Sequence, residues 1–197
     1  MNVRQIVHGD IGELASVMAR SFERDPFFAW MYGDSAQRLT RSFRAQLRVQ
    51  FVPRGIGKTV EGLRGVAIWS EPGRGVSPTF MESFRMSPAH RQFLWPPTAI
   101  RVLRAFNTMD SSHPDEPHIH LSLLAVDPRY QRSGVGATLL SEGLARADSE
   151  RLPVYLDTAN PENLPYYERF GFAIVWEFDI PSRGPRCWGM LRRASSR

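Results

Sequence analysis

Apolar positions recur at helical spacing close to the N-terminus. Ile11, Leu14, Ala15, Met18, Ala19 and Phe22 lay one stripe along a predicted helix. Asp10 and Glu13 stand at capping-box spacing before it, and Asp25-Pro26 ends it. Residues 3–7 read as a short strand. A second helix is predicted over 36–51, with Leu39, Phe43, Leu47 and Phe51 on one face. Residues 58–61 and 65–70 read as a two-stranded hairpin, closed off by Glu71-Pro72-Gly73. The stretch 77–107 carries Phe80, Met81, Phe84, Phe93, Trp95, Leu103 and Phe106, broken by Pro88, Pro96 and Pro97. It predicts helical pieces joined by loops, followed by a polar loop over 109–117.

The second half is more regular. Ile119, Leu121 and Leu123 alternate with His118, His120 and Ser122, which predicts a strand over 118–126 stopped by Asp127-Pro128. A helix over 135–149 follows, with Leu140, Leu144 and Ala147 on one stripe, then a strand over 153–158. A short helix over 164–170 ends at Gly171, in the position of a C-terminal cap. Phe172, Ile174, Trp176, Phe178 and Ile180 alternate as a strand, and a last strand is predicted over 187–191. Nothing repeats and no segment is of low complexity, so one domain over 1–197 is expected.

Composition narrows the class. Hydrophobic residues make up 42 % of the chain, enough for a packed core, and no run approaches the ~18 apolar residues of a membrane helix. The N-terminus lacks the layout of a signal peptide, and the single Cys187 has no partner for an internal disulfide. These features predict a cytoplasmic protein with no membrane partner. The net charge of +5 fits a nucleic acid or a phosphate-rich coenzyme equally. Lys58 is the only lysine, so a bias toward arginine explains the basicity, and no nucleic-acid partner is expected.

The chemistry concentrates in HLSLLAVDPRYQRSGVGATLL. A strand runs into Gln131-Arg132-Ser133-Gly134-Val135-Gly136-Ala137, and a helix begins at once. Glycines 134 and 136 remove Cβ atoms that would block a ligand. The first turn of the helix offers unpaired N–H groups and a partial positive charge, which suit a diphosphate. The order matches neither a Walker loop nor a dinucleotide fingerprint.

The pattern [Q/R]-x-x-G-x-[G/A] after Val-Asp-Pro, with NPENLPYYERFGF about 30 residues on, resembles the GNAT superfamily of N-acetyltransferases. EPHIHLSLLAVDPRYQRSGVGATLL, PVYLDTANPENLPYYERFGF and GPRCWGMLRR are similar to its puromycin N-acetyltransferase-like members. The likeness is clear over 116–193 and loose before that. It implies an α/β (α+β) fold, with a mixed, mostly antiparallel sheet of six to seven strands, helices on both faces, and splayed fourth and fifth strands. Residues 116–197 would be the acetyl-CoA-binding half and 1–115 the acceptor-side half.

The resemblance implies that acetyl-CoA is the acyl donor. Pantetheine would pair with Leu124, Ala125 and Val126, and an N–H near Val126 would hold the thioester oxygen. The diphosphate would meet Gln131, Arg132, Ser133, Gly134, Val135, Gly136, Ala137 and Thr138. Asn163 matches the family's coenzyme asparagine, with helix capping as its ordinary alternative. Tyr167 matches the tyrosine near the sulfur, and Tyr166 reads as a packing residue. His120 is a candidate base, with Glu116 and Asp157 as rivals, although His118 and His120 depart from the puromycin-type pattern. No metal is expected, because no third ligand stands at a telling spacing. Phe27, Phe28, Trp30, Met31 and Tyr32 would line the acceptor side, where Asp25 and Asp34 could draw an ammonium.

The expected activity is acetylation of a primary amine of a small molecule, possibly antibiotic-like, by direct attack. A protein N-terminus or lysine as acceptor, and a non-catalytic acyl-CoA-binding module, stay open, as does monomer against homodimer.

Overall fold

Val3–Gln5 (β1) pairs antiparallel with Gly57–Val60 (β2), which pairs with Gly65–Ser70 (β3), and β3 pairs with Ile119–Val126 (β4). Val154–Thr158 (β5) lies parallel to β4, and Arg186–Arg192 (β7) follows, with Ala173–Asp179 (β6) at the edge. The order β1-β2-β3-β4-β5-β7-β6 makes one mixed sheet of seven strands, antiparallel except at β4–β5. The computed structural model describes residues 1–33, 35–73, 77–90 and 95–195. Phe93 and Asp34 fall outside them.

Helices cover both faces, because period-two alternation sends side chains both ways. Val66 and Ile68 of β3 meet Leu14 and Met18 of Ile11–Ser21 (α1), with Phe43 of Ala36–Gln46 (α3). Ala67 and Trp69 point the other way, to Val135, Leu139 and Leu140 of Val135–Glu150 (α7). Among these residues only Trp69, at 6 %, exposes more than 1 % of its surface.

Several boundaries differ from the sequence expectation. Asp10 does not cap α1: its carboxylate accepts from Val7 N–H and pairs with Arg4 at 2.7 and 2.9 Å. α1 ends at Ser21, with Phe22 as its C-cap, and Asp25-Pro26 instead starts a helix, Pro26–Tyr32 (α2), with Asp25 Oδ1 accepting from the N–H groups of Phe27 and Phe28. The predicted helix over 36–51 is α3 followed by a π-helical turn, Leu47–Phe51, which runs into Val52–Arg54 (α4). Phe80–Met86 (α5) opens with a Thr79–Glu82 capping box. Pro96–Ser111 (α6) extends into the expected polar loop. Leu164–Glu168 (α8) is shorter than predicted. In β6 the register shifts between Ile174 and Trp176, and both of those side chains are exposed, so the alternating run is an edge strand rather than a core strand.

Candidate active site

The sheet opens where β4 and β5 part. Only Ile119↔Val154 and His120↔Tyr155 pair across them, fixed by Ile119 N–H donating to Pro153 O at 2.9 Å. Beyond that point β4 carries a bulge. Trp69 faces Leu121 and Ile68 faces Leu123, which leaves Ser122 as the extra residue. The bulge reverses the faces. Ile119 and Leu121 join the α7-side core, whereas Leu123 and Ala125 join the α1-side core. The uninterrupted alternation expected through Leu123 therefore breaks at Ser122.

After the bulge, Asp127 N–H donates to Arg64 O on the β3 side, and Val126 N–H points the opposite way, to Ser21 Oγ at 3.2 Å. By the alternation of an extended chain, Leu124 N–H faces the same open edge as Val126 N–H. The hydroxyl of Ser21, the last residue of α1, thus already engages the donor expected to meet a thioester oxygen, a contact that sequence reading missed. Leu124 supplies the second donor on that edge.

The chain then turns into α7. Asp127 is 1 % exposed in its side chain and accepts from Arg129 N–H. Arg129 and Arg20 both pair with it, and the Arg129 guanidinium first, Arg20 after it, hold its carboxyl well below the usual range. This ties the loop to α1. Gln131, Arg132, Ser133 and Gly134 are exposed. Arg132 and Gly134 have φ of 61° and 87°, and Gly134 stands at the N-cap of α7 with no side-chain cap. The N–H groups of Val135, Gly136 and Ala137 therefore begin the helix without capping side chains. Thr138 N–H does not join them, because it donates to Gly134 O as the first intrahelical bond. A Cβ at Gly136 would stand 3.0 Å from Tyr166 Oη and 3.4 Å from Val126 Cγ2. Tyr166 packs against the α7-side core, and its buried hydroxyl, without a hydrogen-bond partner, lies against the first turn of α7.

Across the fork, Asn160 Oδ1 accepts from Glu162 N–H and caps the turn Pro161–Asn163. Asn163 caps nothing; its amide donates to Thr158 Oγ1 at 3.1 Å. Tyr167 is 8 % exposed and packs on Phe172 and Tyr166. Burial first, then Tyr166 and Asp25, push its hydroxyl above the ordinary phenol value, so it stays a proton donor at neutral pH.

The fork also gathers groups that lie apart in sequence. His113 Nε2 and His120 Nε2 lie 3.6 and 3.5 Å from Asp157 Oδ2. Tyr155 Oη donates to Asp157 Oδ1 at 2.7 Å. Burial holds His120 below the ordinary imidazole value, so its ring is neutral near pH 7. The segment after α6 returns His113 to the mouth of β4, beside His120 and Asp157, a neighbour that spacing along the sequence did not indicate. Glu116 turns away to Arg193 at 2.6 Å.

The aromatic wall divides. Tyr32 is 4 % exposed, bonds Ser42 Oγ, and has its hydroxyl pushed up to about 12 by burial; it is a core residue. Phe28 stacks among Phe22, Tyr32 and Phe43, and Met31 is buried in the same core. Phe27 and Trp30 reach the second half of the molecule, where Phe27 meets Phe106 of α6 edge-on and Trp30 Nε1 points at Ser182 O. Asp25 caps α2 through Oδ1. A cavity of about 280 Å³ lies between α1, α2 and α3, lined by Phe22, Phe28, Gly33 and Leu39 among others, and touches none of the coenzyme-loop residues.

A family model described as Acetyltransferase (GNAT) family matches residues 20–172. The chain belongs to the GNAT acetyltransferase family. The fork and loop described above lie within the residues that the family model spans. Mycothiol acetyltransferase of Acidothermus cellulolyticus is 37 % identical to it over 73 residues, 36 % of this chain and 22 % of that protein. The corresponding protein of Nocardiopsis dassonvillei is 35 % identical over 74 residues, with the same coverage. The chain thus spans about a fifth of the length of those relatives. A Corynebacterium glutamicum structure described as histone acetyltransferase HPA2 and related acetyltransferase superposes with a TM-score of 0.69 at 20 % identity, covering 100 % of this chain and 97 % of that one. The Drosophila melanogaster polyamine N-acetyltransferase gives 0.67 at 14 % identity, covering 98 % and 99 %. These likenesses are of fold. No helix among the described residues is long and apolar enough to cross a membrane.

Proposed function

We propose that this GNAT acetyltransferase moves an acetyl group from acetyl-CoA to a primary amine of a small molecule, by direct attack with both substrates bound. One observation carries this reading: an N-terminus of α7 without a capping side chain, opened by the exposed Gly134 at φ 87°, follows the strand β4 whose edge parts from β5. Bound acetyl-CoA supplies the acetyl group activated as a thioester.

The chain's own groups divide the work. The N–H groups of Val135, Gly136 and Ala137 receive the diphosphate, with Arg132 and Ser133 at the loop's tip. Leu124 N–H, and Val126 N–H once it exchanges Ser21 Oγ for the ligand, meet the pantetheine arm and thioester along the open edge, as an added strand would be met. Asn163, anchored on Thr158, stands at the end of β5 for a polar contact to the same arm. The Tyr167 hydroxyl donates to the departing sulfur. His120, a neutral ring at the mouth of the fork, takes the amine proton. Cys187 does not serve as an acyl carrier: it is buried, and burial followed by Asp157 pushes its thiol up to about 12.

Phe27 and Trp30, set against Phe106, favour an amine with an aromatic or extended apolar body, and an antibiotic-like compound belongs to that class. The test is thiol release from acetyl-CoA across a panel of arylalkylamines, polyamines, aminoacyl nucleosides and peptides, with calorimetry for the coenzyme. Turnover with an aromatic small amine is the expected result. Turnover only with peptides would move the acceptor to protein, and coenzyme binding without turnover would leave a binding module.

A further inference from the structure

The cluster at the fork has a geometry that acetyl transfer does not explain. His113, His120 and Asp157 each offer one ligand atom, two imidazole nitrogens and one carboxylate oxygen, and these lie within 4.8 Å of one another. His113 Nε2 and His120 Nε2 stand 3.6 and 3.5 Å from Asp157 Oδ2. Those distances exceed the range of an N–H···O hydrogen bond. Asp157 Oδ2 accordingly has no hydrogen-bond partner, although its side chain is only 6 % exposed. A buried carboxylate oxygen left in that state is costly.

The surrounding bonds fix where the protons are. His118 Nδ1 lies 2.8 Å from Glu116 O, a pure acceptor, so His118 carries its proton there and its Nε2 is an acceptor. His113 Nδ1 faces that Nε2 at 3.2 Å and therefore donates to it. In the neutral ring this leaves a bare lone pair on His113 Nε2, aimed at a carboxylate oxygen that also has only lone pairs to offer. His120 Nδ1 lies 3.3 Å from Ser122 Oγ, and the tautomer that donates there presents a lone pair on Nε2 to the same point. Asp157 Oδ1 is occupied by the Tyr155 hydroxyl. Each of the three groups is thus aimed by an outer partner, the arrangement that orients metal ligands.

Donors held at about 2.0–2.2 Å from one zinc ion, at tetrahedral or slightly wider angles, stand about 3.3–3.6 Å apart. Both nitrogen–oxygen separations, 3.6 and 3.5 Å, fall at that spacing. We propose that His113, His120 and Asp157 form a three-ligand site for a zinc-class divalent cation, open at its fourth position. Two imidazoles and one carboxylate suit zinc and its neighbours and disfavour magnesium and calcium, which prefer all-oxygen shells. The ligands come from three separate places, the segment after α6, β4 and β5, so the cation would pin the mouth of the fork.

A consequence follows that, unlike the binding itself, rests on the proposed acetyl transfer. The cation claims the His120 lone pair that the amine proton needs, so occupancy switches transfer off.

Calorimetric titration of the metal-stripped full chain with zinc chloride, without coenzyme or amine, tests the site. One zinc per chain is expected, magnesium chloride giving none, with at least about a tenfold loss of affinity in H113Q and in D157N. Y155F keeps all three ligands and removes only an outer partner, and should weaken zinc about tenfold. Circular dichroism checks that each variant is folded. Wild-type affinity weaker than about millimolar, or zinc binding unchanged in folded H113Q and Y155F, overturns the site. Acetylated amine measured by mass spectrometry, with one equivalent of zinc and then with chelator, tests the switch. Inhibition reversed by chelator supports it; zinc-insensitive transfer overturns the switch and leaves the calorimetric result standing.

Discussion

Gly134→Ala isolates the coenzyme loop. Gly134 sits at φ 87°, and a Cβ built there meets only Met1 Cε at 3.6 Å, an ordinary contact. The substitution therefore adds no clash, and its cost is the backbone term alone, about 1–2 kcal/mol for an L-residue in the left-handed region. Part of this is offset, because alanine loses less chain entropy on folding than glycine. About 1 kcal/mol remains, and it must appear somewhere. If the loop keeps its shape in the free protein, the cost falls on stability and Tm drops by about 2–4 °C for a chain of this size. If the loop relaxes, the cost is felt on coenzyme binding, and the Kd for acetyl-CoA rises about fivefold. Thermal melts and calorimetry on the same variant read both parts, and together they should account for that kilocalorie. A variant that melts within half a degree of the parent and binds acetyl-CoA with unchanged affinity would refute the claim that this turn must be left-handed to hold the diphosphate.

The remaining predictions concern the acid, the loop anchor and the β7 tether. Tyr167→Phe should lower kcat at least about tenfold while leaving coenzyme Kd within about twofold, checked by steady-state kinetics and calorimetry; unchanged kcat would remove the acid role. Asp127 is held below the ordinary carboxylate range, first by Arg129, so as pH falls the unfolded chain takes up its proton before the folded one. Its contribution is complete above about pH 4 and is lost as pH falls toward the folded value, so Asp127→Asn should flatten the acid limb of a stability–pH curve. Arg192 holds Asp148 at 2.8 and 2.9 Å and donates to Phe170 O, with its side chain 11 % and that of Asp148 29 % exposed. Arg192→Met should cost about 2 kcal/mol by urea denaturation, below the range for a fully buried pair because Asp148 keeps some solvent.

The second half was legible because its signals are local. The run from β4 through the glycine loop into α7 is set by alternation, a Pro stop and two glycines, and each of these acts within a few residues. The fork was legible only through the resemblance, since β4–β5 pairing is parallel and its splay depends on contacts far apart in sequence. Four features were beyond the pattern. The Ser122 bulge leaves no mark in the alternation of Leu121 and Leu123, because both faces of this sheet are covered and either accepts leucine. His113 read as loop, and only the length of α6 brings it back beside His120. The aromatic run from Phe27 to Tyr32 looked like one wall, yet helical geometry sends its members in different directions, Phe28 and Tyr32 into the core and Phe27 and Trp30 toward α6. Asn160 and Asn163 both have capping chemistry, and which one caps is decided by where Pro161 starts its turn.

The bulge explains why the reactive end of the fork lies where it does. Before Ser122, the odd-numbered N–H groups of β4 face β5, as Ile119 shows by bonding Pro153 O. After it, the even-numbered ones do, as Val126 shows by pointing at Ser21 while Asp127 returns to Arg64. One extra residue thus hands the open edge from the odd register to the even one as the strands begin to part. The edge that meets β5 through its backbone at Ile119 becomes, within a few residues, an edge with no strand opposite its donors, Val126 N–H meeting the Ser21 hydroxyl instead. The side chains change faces at the same point. Leu121 stays with α7, and Leu123 and Ala125 pass to α1, so both cores grip β4 and hold it rigid while it lacks a partner on that side. An unpaired edge held rigid between two cores is what an amide-rich ligand needs to dock as a strand without first ordering the protein. The histidine cluster lies on the paired side of this transition and the glycine loop on the unpaired side, so Ser122 separates the part of β4 that holds side-chain chemistry from the part that offers backbone.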